Sequence, residues 1–452
     1  MPHHDYDTLE TISNTSSPIP VHGVGRTSRI STEVVRNRKA FFSLREEWNS
    51  LTDSSPSRIY QTFEWQWTWW KHFGDTLELH IVLIRQGEQL IGIFPLFLET
   101  SCVHGRRVYR RLRMLGSDVT LNESSGKYVR YDPSDYLDII ASSEHTSEVV
   151  LNLLAHFYEL RDSYDEIDFP NLPDDGIIMT KLIPELQNIG LKYDASRQDI
   201  CPRLNLPGSV EEYLLKLSQN TRHRLRHARK TWLSPPHRPV QPVSTFEEVE
   251  QAFNILVSLH QKRWNRLGFP GLFYGSRAEE FLKEVAKIFF VRGNLWLKTA
   301  RHDGNIVAVR MGFKFKDRMY DYLSGFDIDS TAAKLRPGLA LILAMIEDAA
   351  HDDTRVVDFL RGEEQYKFDL TSDVAHVWRV VIRSPGYSGR TQLRFNRLYR
   401  LYDHLRNRWS YERELLEVQY HQHGIRSYLF HYLIFRADRI RQRVRQSRTL
   451  TP

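Results

Sequence analysis

One pattern occurs twice in this chain and limits the folds open to it. From Leu77 to Glu99, in LELHIVLIRQGEQLIGIFPLFLE, an apolar run meets the turn RQGEQ and a second apolar run follows. From Asn294 to Asp327, NLWLKTARHDGNIVAVRMGFKFKDRMYDYLSGFD does the same with turns at HDGN and KDR. Asp-Gly between alternating apolar runs is a strong hairpin signal, and Gly87 plays that part in the first copy. The copies lie too far apart for a solenoid period. Two related domains in tandem are expected.

Helical stretches precede each hairpin. FFSLREEWNSL and FEWQWTWWKHF come before the first; TFEEVEQAFNILVSLHQKRWNRL and RAEEFLKEVAKIFFV come before the second. Val249, Phe253, Leu256 and Leu259 or His260 recur at helical spacing, and Ser244 or Thr245 ahead of Glu247 and Glu248 supplies a capped start. After the second hairpin, LRPGLALILAMIEDAAHDD opens with Pro337 and Gly338, as a helix does. The strand RVVDFL follows and delivers the polar stretch DFLRGEEQYK. The second half therefore reads helix, helix, three antiparallel strands, helix, strand. PNLPDDG and NLPGSVEEYLLKL carry the Pro and Gly of a linker, which puts a boundary near residue 200.

The ends differ from the middle. The first residues, MPHHDYDTLETISNTSSPIP, lack the basic and apolar regions of a secretory signal and are rich in Ser, Thr and Pro, so a disordered tail is expected. After about residue 386, Arg390, Arg394, Arg397, Arg400, Arg406 and Arg408 recur, and RADRIRQRVRQSR follows later. This is expected as a basic helical tail, able to rest on anionic lipid or to remain solvated. No run of about 18 apolar residues is present. The two cysteines, Cys102 and Cys201, have no metal-ligand spacing and are expected as isolated buried thiols, which suits a reducing cytoplasm. The net charge of +6 favours an anionic partner.

The order of three antiparallel strands, a Gly-preceded helix and a strand with polar residues at its end resembles the core of the GNAT acyltransferases. LHQKRWNRLGFPGLF, YDYLSGFD, LRPGLALI and DFLRGEEQYKFDL are similar, in order and spacing, to successive motifs of the CelD/BcsL-type acetyltransferases associated with bacterial cellulose and exopolysaccharide clusters. YQTFEWQWTWWKHFG, RRLRMLGSD and SDYLDII resemble that family's N-terminal region. LSQNTRHRLRHARK resembles a helix shared with the related FemAB-type aminoacyltransferases. The resemblance runs from about residue 35 to 385. Where GNAT proteins carry a Gly-rich phosphate loop, AKLRPGLA keeps one glycine, Gly338, with Arg336 two positions before it.

The resemblance implies an α/β (α+β) chain: two tandem GNAT-like domains with mixed, mostly antiparallel sheets flanked by helices, and a basic helical C-terminal tail. The expected division is a tail over 1–30, an N-terminal domain over 31–200, a catalytic domain over 201–385 and the basic tail over 386–452. The N-terminal copy is expected to be degenerate, since no Gly-led apolar helix follows RMLGSDVTLN. The implied reaction is transfer of an acetyl or other acyl group from acyl-CoA to an amine or hydroxyl, such as that of an amino sugar or exopolysaccharide precursor. Direct attack on the thioester needs positioning and oxyanion stabilisation but no covalent enzyme intermediate. No metal ligand cluster, nucleophile elbow, P-loop or dinucleotide fingerprint appears, so no metal is expected.

Candidate residues follow from this. Asp358, Tyr366 and Lys367 are the catalytic candidates. Asp358 would accept a proton or orient the acceptor, with a loop cap or a pair with Arg361 as the plainer reading. Tyr366 would protonate the departing thiolate, and Lys367 would bind an anionic group; packing on the domain and solvation are the plainer roles. Glu363 and Glu364 read as loop residues. For the donor, Arg336, Pro337, Gly338 and Leu339 would meet the pyrophosphate at a helix start, and Arg310, Met311 and Gly312 would offer backbone contacts to the thioester. For the acceptor, His260 and Arg263 share a helix face, with Trp264 and Arg361 beside them. Trp65, Trp69 and Trp70 share a helical face and read as core. Arg222, Arg224, Arg226, Arg229 and Lys230 form a basic helix that reads first as a solvated face. The competing functions are a FemAB-like transferase that takes aminoacyl-tRNA and a non-catalytic scaffold of exopolysaccharide assembly docked through its tail. A cytoplasmic site is expected, with contact at the inner face of the membrane.

Overall fold

The computed structural model describes residues 29–103, 106–122, 128–234, 239–273, 276–352 and 354–384, together with 401, 405, 409, 412–418 and 420. The expected N-terminal tail and most of the basic C-terminal tail lie outside these residues. In chain order the first elements are β1 (Ile30–Val35), α1 (Arg38–Ser43), α2 (Arg45–Ser54), α3 (Phe63–Phe73), β2 (Glu78–Gln86), β3 (Gln89–Val103) and β4 (Arg106–Met114). Then come β5 (Val119–Asn122), β6 (Tyr128–Tyr131), β7 (Ile140–Ala141), α4 (Thr146–Glu159), β8 (Glu166–Pro173), α5 (Ile183–Asn188) and β9 (Tyr193–Asn205). The remainder are α6 (Val210–Lys216), α7 (Gln219–Ala228), β10 (Val240–Pro242), α8 (Phe246–Arg266), α9 (Ser276–Val291), β11 (Leu295–His302), β12 (Asn305–Phe315), β13 (Arg318–Phe326), α10 (Pro337–His351), β14 (Val356–Asp358), α11 (Gln365–Leu370) and β15 (Val374–Arg383).

The chain divides into two compact units. The first holds the described residues of 1–119, 132–205 and 358–397; the second holds those of 120–131, 206–357 and 398–452. Each repeats one order of elements: an edge strand, helices, three antiparallel strands, a helix, then a further strand. This is the mixed α/β architecture that the paired hairpins imply.

In the first unit the sheet runs β1-β2-β3-β4-β8-β15-β9. All pairs are antiparallel except β4 with β8, where Arg111–Arg113 run alongside Glu166–Asp168. Gly87 closes the β2–β3 turn with φ 61°, the left-handed region a glycine enters freely. Trp65 and Trp69 are fully buried and Trp70 nearly so, as their shared helical face requires. β8 is buried along its whole length. It contains Pro170 and Pro173, so the run PNLPDDG, expected as a linker, is in part a core strand. Asp168 in β8 takes both arms of the Arg379 guanidinium at 2.7 and 2.6 Å. Burial pushes its carboxyl up, but the Arg379 and Arg113 charges outweigh burial and hold it below the usual range. Of the two thiols expected to be buried, Cys201 is and Cys102 is exposed, because Cys102 sits at the outer end of β3.

In the second unit the sheet order is β14-β13-β12-β11-β10. β10 through β13 pair antiparallel in sequence. Asp303 and Gly304 both have positive φ, 49° and 78°, the geometry of the hairpin turn their sequence signals. α8 starts on a capping box, with Thr245 accepting from the Glu248 N–H and Glu248 accepting from the Thr245 N–H. α10 is apolar on nearly every side, and residues 340–346 of it are all buried. Such a helix is held by burial, at about 1.5–3 kcal/mol for each large side chain. Trp232 and Leu341 share its core with Ala300, Val307 and Ala308.

Candidate functional site

The second unit carries the arrangement that the strand and helix order predicts. β12 and β13 pair one for one until the step from Met311 to Gly312, where the register shifts: Met311 faces Leu323 and Gly312 faces Asp321. Tyr322 is the extra residue, so β13 bulges there. Gly312 permits this approach, since a Cβ on it would lie 2.3 Å from the Tyr320 carbonyl oxygen and 2.7 Å from Met345 Cε. Beyond β13, β14 is only three residues long. Arg355 and Val356 both donate to the Asp317 carbonyl, at 2.8 and 3.1 Å, where β13 is about to start. β13 has nine residues, so its later part extends past this partner.

Beyond β13 the chain passes through a short 3-10 helix, Thr331–Leu335, and enters α10. Arg336 caps this helix in the left-handed conformation, φ 57° and ψ 55°, at a cost of roughly 1–2 kcal/mol for a residue with a side chain. Leu339 and Ala340 both donate back to the Arg336 carbonyl, at 3.1 and 3.3 Å, whereas Gly338 N–H has no acceptor among the described residues. Pro337 has no N–H to satisfy. A Cβ on Gly338 would touch nothing closer than Phe326 Cδ1, at 3.7 Å. Neither packing nor backbone angle therefore demands glycine at 338. Arg336 is exposed, and its guanidinium is without a partner among the described residues. Trp232 fixes the turn from behind, its indole N–H donating to the Leu335 carbonyl at 2.9 Å.

α8 forms the opposite wall. Gly325 of β13 lies so close under it that a Cβ there would be 2.9 Å from both the Leu256 carbonyl oxygen and Leu259 Cβ. Arg263 holds its guanidinium 4.9 Å over the Phe326 ring, the same ring that borders Gly338. A cation and a helix start thus flank one aromatic side chain. Lys262 tethers this end of α8 to Asp327 and Asp329 at 2.8 and 2.9 Å, and Arg266 also pairs with Asp329. His260 is buried beside Trp264 and Phe273 and hydrogen-bonded through Nδ1 to Gln261 Oε1 at 3.3 Å. Burial lowers its pKa to about 4, so it is neutral at physiological pH.

The structure places the remaining donor candidates differently. Arg310, Met311 and Gly312 lie on β12, between β11 and β13, and pair on both sides. Their backbone groups are committed to the ladders, and the Arg310 guanidinium is buried against Asp321. Among the described residues it is β13, one place further along, whose later part outruns its short partner β14.

The stretch DFLRGEEQYK belongs to the first unit and forms a tight, internally bonded turn there. Asp358 is 1% exposed. Its carboxylate accepts from Tyr136 Oη at 3.1 and 2.9 Å and from the Leu360 N–H at 2.9 Å. Leu360 has φ 58° and Gly362 φ 127°, so the turn depends on that bond. Burial and the Asp358 charge raise the Tyr136 hydroxyl well above its ordinary value, and the same two causes raise the Cys201 thiol. Arg361 spends its donors on Asp135 (2.6 Å), Asp132 (2.7 Å) and Asn171 Oδ1 (3.0 Å). Lys367 is buried, with Nζ on the Arg361 and Leu360 carbonyls at 2.7 and 3.3 Å and on Glu364 at 2.9 Å. Tyr366 is half-buried on the first turn of α11. Asp358, Arg361 and Lys367 thus come together, each on protein acceptors or donors. Tyr136, Asp132 and Asp135 complete the network and were not marked by the sequence, because nothing local distinguishes them.

Among the described residues no group of three or more His, Cys, Asp or Glu is placed to hold a metal ion, and no helix is long and apolar enough to cross a membrane.

Comparison with known proteins bears on the fold. Residues 219–368 match the family model described as an acetyltransferase (GNAT) domain. No curated protein matches the sequence. The crystal structure of FemX superposes with a TM-score of 0.52 at 11% identity, covering 74% of this chain and 95% of that one. L-PGS from Bacillus licheniformis aligns at 10% identity and a TM-score of 0.45, over 79% and 96% of the two chains. A tandem GNAT protein from the clavulanic acid biosynthesis pathway aligns at 11% and 0.40, over 79% and 99%. Matched residues 219–368 contain the bulged β13, the Arg336 turn and the start of α10, and over that segment the chain carries a GNAT-type transferase domain.

Proposed function

We propose that the second unit transfers an acyl group, acetyl in the first instance, from acyl-CoA to an amine or hydroxyl of an amino sugar or exopolysaccharide precursor. The observation that carries this is Gly338: among the described residues nothing accepts from its N–H at the head of α10, its missing side chain leaves space, and the Arg336 cation, which likewise has no partner among those residues, stands two positions before it. A diphosphate is the group such a site fits. In this reading Arg336, Pro337, Gly338 and Leu339 receive the pyrophosphate of the donor, and the later part of β13 takes its amide-bearing arm. The β13 bulge supplies the backbone donors for the thioester oxyanion, the part first expected of Arg310, Met311 and Gly312. Arg263 and Trp264 line the acceptor side, with neutral His260 as support behind them.

The roles on DFLRGEEQYK follow from burial. Asp358 and Arg361 are positioning residues that fix the shape of the turn, and Lys367 locks it from within. Tyr366, half-buried, is the candidate proton donor to the thiolate. The first unit acts as the degenerate partner of the pair. Contact of the basic tail with a membrane or a polysaccharide-synthesis complex belongs to the same reading.

The second reading is a FemAB-like transferase using aminoacyl-tRNA. It is favoured by the likeness to FemX, which extends over nearly all of that chain, and by the exposed basic residues of α7, among them Arg226 and His223. One assay separates the two. Labelled acetyl-CoA and charged tRNA are offered in parallel with a panel of amino sugars. Transfer from acetyl-CoA alone supports the first reading. Transfer from charged tRNA alone, with strongly salt-sensitive binding, replaces it with the second.

A further inference from the structure

The loop that leaves α8 folds back on the helix it has just left. Gly268 N–H donates to the Asn265 carbonyl and Phe269 N–H to the Trp264 carbonyl, each at 2.9 Å. One turn earlier the Gln261 side chain ties down the same loop. Its Nε2 donates to the Pro270 carbonyl at 2.9 Å, and its Oε1 accepts from the Phe273 N–H at 3.2 Å. Gly271 leaves room for that amide, since a Cβ there would lie 2.3 Å from Gln261 Oε1. The two bonds settle which end of the amide is oxygen: the reverse would set donor against donor at Phe273 and acceptor against acceptor at Pro270. The same Oε1 lies 3.3 Å from His260 Nδ1. An acceptor there needs a donor, so the imidazole carries its proton on Nδ1 and its lone pair on Nε2.

Nothing among the described residues bonds to that Nε2, although His260 is only 7% exposed. Its ring lies between Trp264 and Phe273, at 5.9 and 5.3 Å between centroids. A Phe would fill this space without an unmet polar group, so packing alone does not ask for histidine. α8 runs in the same sense as β13: Leu259 lies against Gly325, Arg263 over Phe326 and Arg266 against Asp329. Helix side chains lean toward the helix N-terminus, so the ring leans back along β13 toward the bulge at Tyr322.

We infer that His260 Nε2 accepts a hydrogen bond from the attacking N–H or O–H of the acyl acceptor, and that Gln261 is the positioning residue that holds the imidazole in the tautomer this requires. His260 thus does more than support Arg263 and Trp264. The opposite tautomer would turn an N–H on the nucleophile's own hydrogen and repel it. The bond orients the nucleophile and requires no proton to pass to the ring, which burial keeps neutral. The inference rests on the proposed function for the nucleophile; the tautomer rests on the geometry of Gln261 alone.

The test joins nitrogen NMR of the full chain, labelled with 15N-histidine, to acetyl transfer from acetyl-CoA to glucosamine. The His260 signals are those missing from His260→Phe. They should show a protonated Nδ1 and an unprotonated Nε2. His260→Phe keeps a ring between Trp264 and Phe273, so it should unfold thermally like the wild type and bind acetyl-CoA equally. Its kcat/KM for glucosamine should fall by about tenfold or more, as loss of one hydrogen bond to the nucleophile predicts. Gln261→Leu should lose the Nδ1–H tautomer and a similar factor, while Gln261→Glu, which keeps an acceptor against Nδ1, should restore most of both. A protonated Nε2 in the wild type overturns the inference whatever the activity, and so does wild-type kcat/KM in His260→Phe. Equal losses in Gln261→Leu and Gln261→Glu with the tautomer unchanged overturn the positioning role. If the wild type transfers nothing to glucosamine, the proposed function falls and the tautomer alone decides this inference.

Discussion

Tyr136 donates its hydroxyl to the carboxylate of Asp358, within 3.1 Å of both oxygens, although 222 residues separate the two in the chain. Both groups are buried, so the bond is made where water cannot replace it. Tyr136→Phe leaves the carboxylate short of one donor and should cost about 1–3 kcal/mol in urea unfolding. Asp358→Asn should lower turnover far more than it weakens acyl-CoA binding, because it disturbs the 358–362 turn and leaves the α10 start untouched. A double-mutant cycle should show the two changes coupled. Wild-type turnover in Asp358→Asn would refute the positioning role.

Two glycines should respond in opposite ways. Gly338→Ala meets only Phe326 and has an ordinary helical backbone, so melting temperature should hold or rise, in line with a gain of up to about 1 kcal/mol. Acyl-CoA affinity should nevertheless drop. Gly312→Ala drives a methyl into the Tyr320 carbonyl and should destabilise the fold by about 1–3 kcal/mol or more. Destabilisation by Gly338→Ala with unchanged affinity would show that glycine serves the fold at 338.

Trp232 holds the Leu335 carbonyl from behind the Arg336 turn. Trp232→Phe keeps most of the packing and removes that one bond. Stability should fall by about 1 kcal/mol, and donor affinity should weaken with little change in kcat once donor is saturating. A loss confined to kcat would place the residue elsewhere in the mechanism.

Acid should loosen the first unit through a buried histidine pair. His80 and His156 meet Nε2 to Nε2 at 3.0 Å. Burial lowers His80 to about 3, with the His156 and Arg36 charges adding to it, and burial lowers His156 to about 4. Both are therefore neutral when folded and protonate near 6.5 when unfolded. The stability they contribute is complete above 6.5 and is lost as pH falls from there toward 4. Asp138 works in the other direction, since burial raises its carboxyl to about 6 and its contribution fades as pH rises through that value. Urea unfolding measured from pH 7 to 4 should show a steeper fall in the wild type than in His80→Asn. Parallel curves would show that the pair does not titrate with folding.

The parts of this fold that the sequence announced are those with local rules. Asp303-Gly304 could only be a tight hairpin, Thr245 with Glu248 could only cap a helix, and Pro337 with Gly338 marked the head of α10. β8 was hidden because a strand buried on both faces has no alternation, and Pro170 and Pro173 looked like linker residues. The site was legible to the same degree. Gly338 and Arg336 showed as a helix start. Tyr136 did not show, since a partner 222 positions away leaves no spacing to read. Lys367 looked like a free cation until the turn around it closed, when its ammonium proved to be spent on two carbonyls and a carboxylate.

The central claim is that α10 begins at a donor site, and a calorimetric titration tests it most directly. Acetyl-CoA is added to the wild type and to Gly338→Asp, whose carboxylate would occupy the space and oppose the charge of a diphosphate. The account predicts saturable binding by the wild type and a loss of at least about tenfold, or about 1.4 kcal/mol, in the variant with its fold intact. Equal affinity in both proteins, or no binding by a folded wild type, would contradict it.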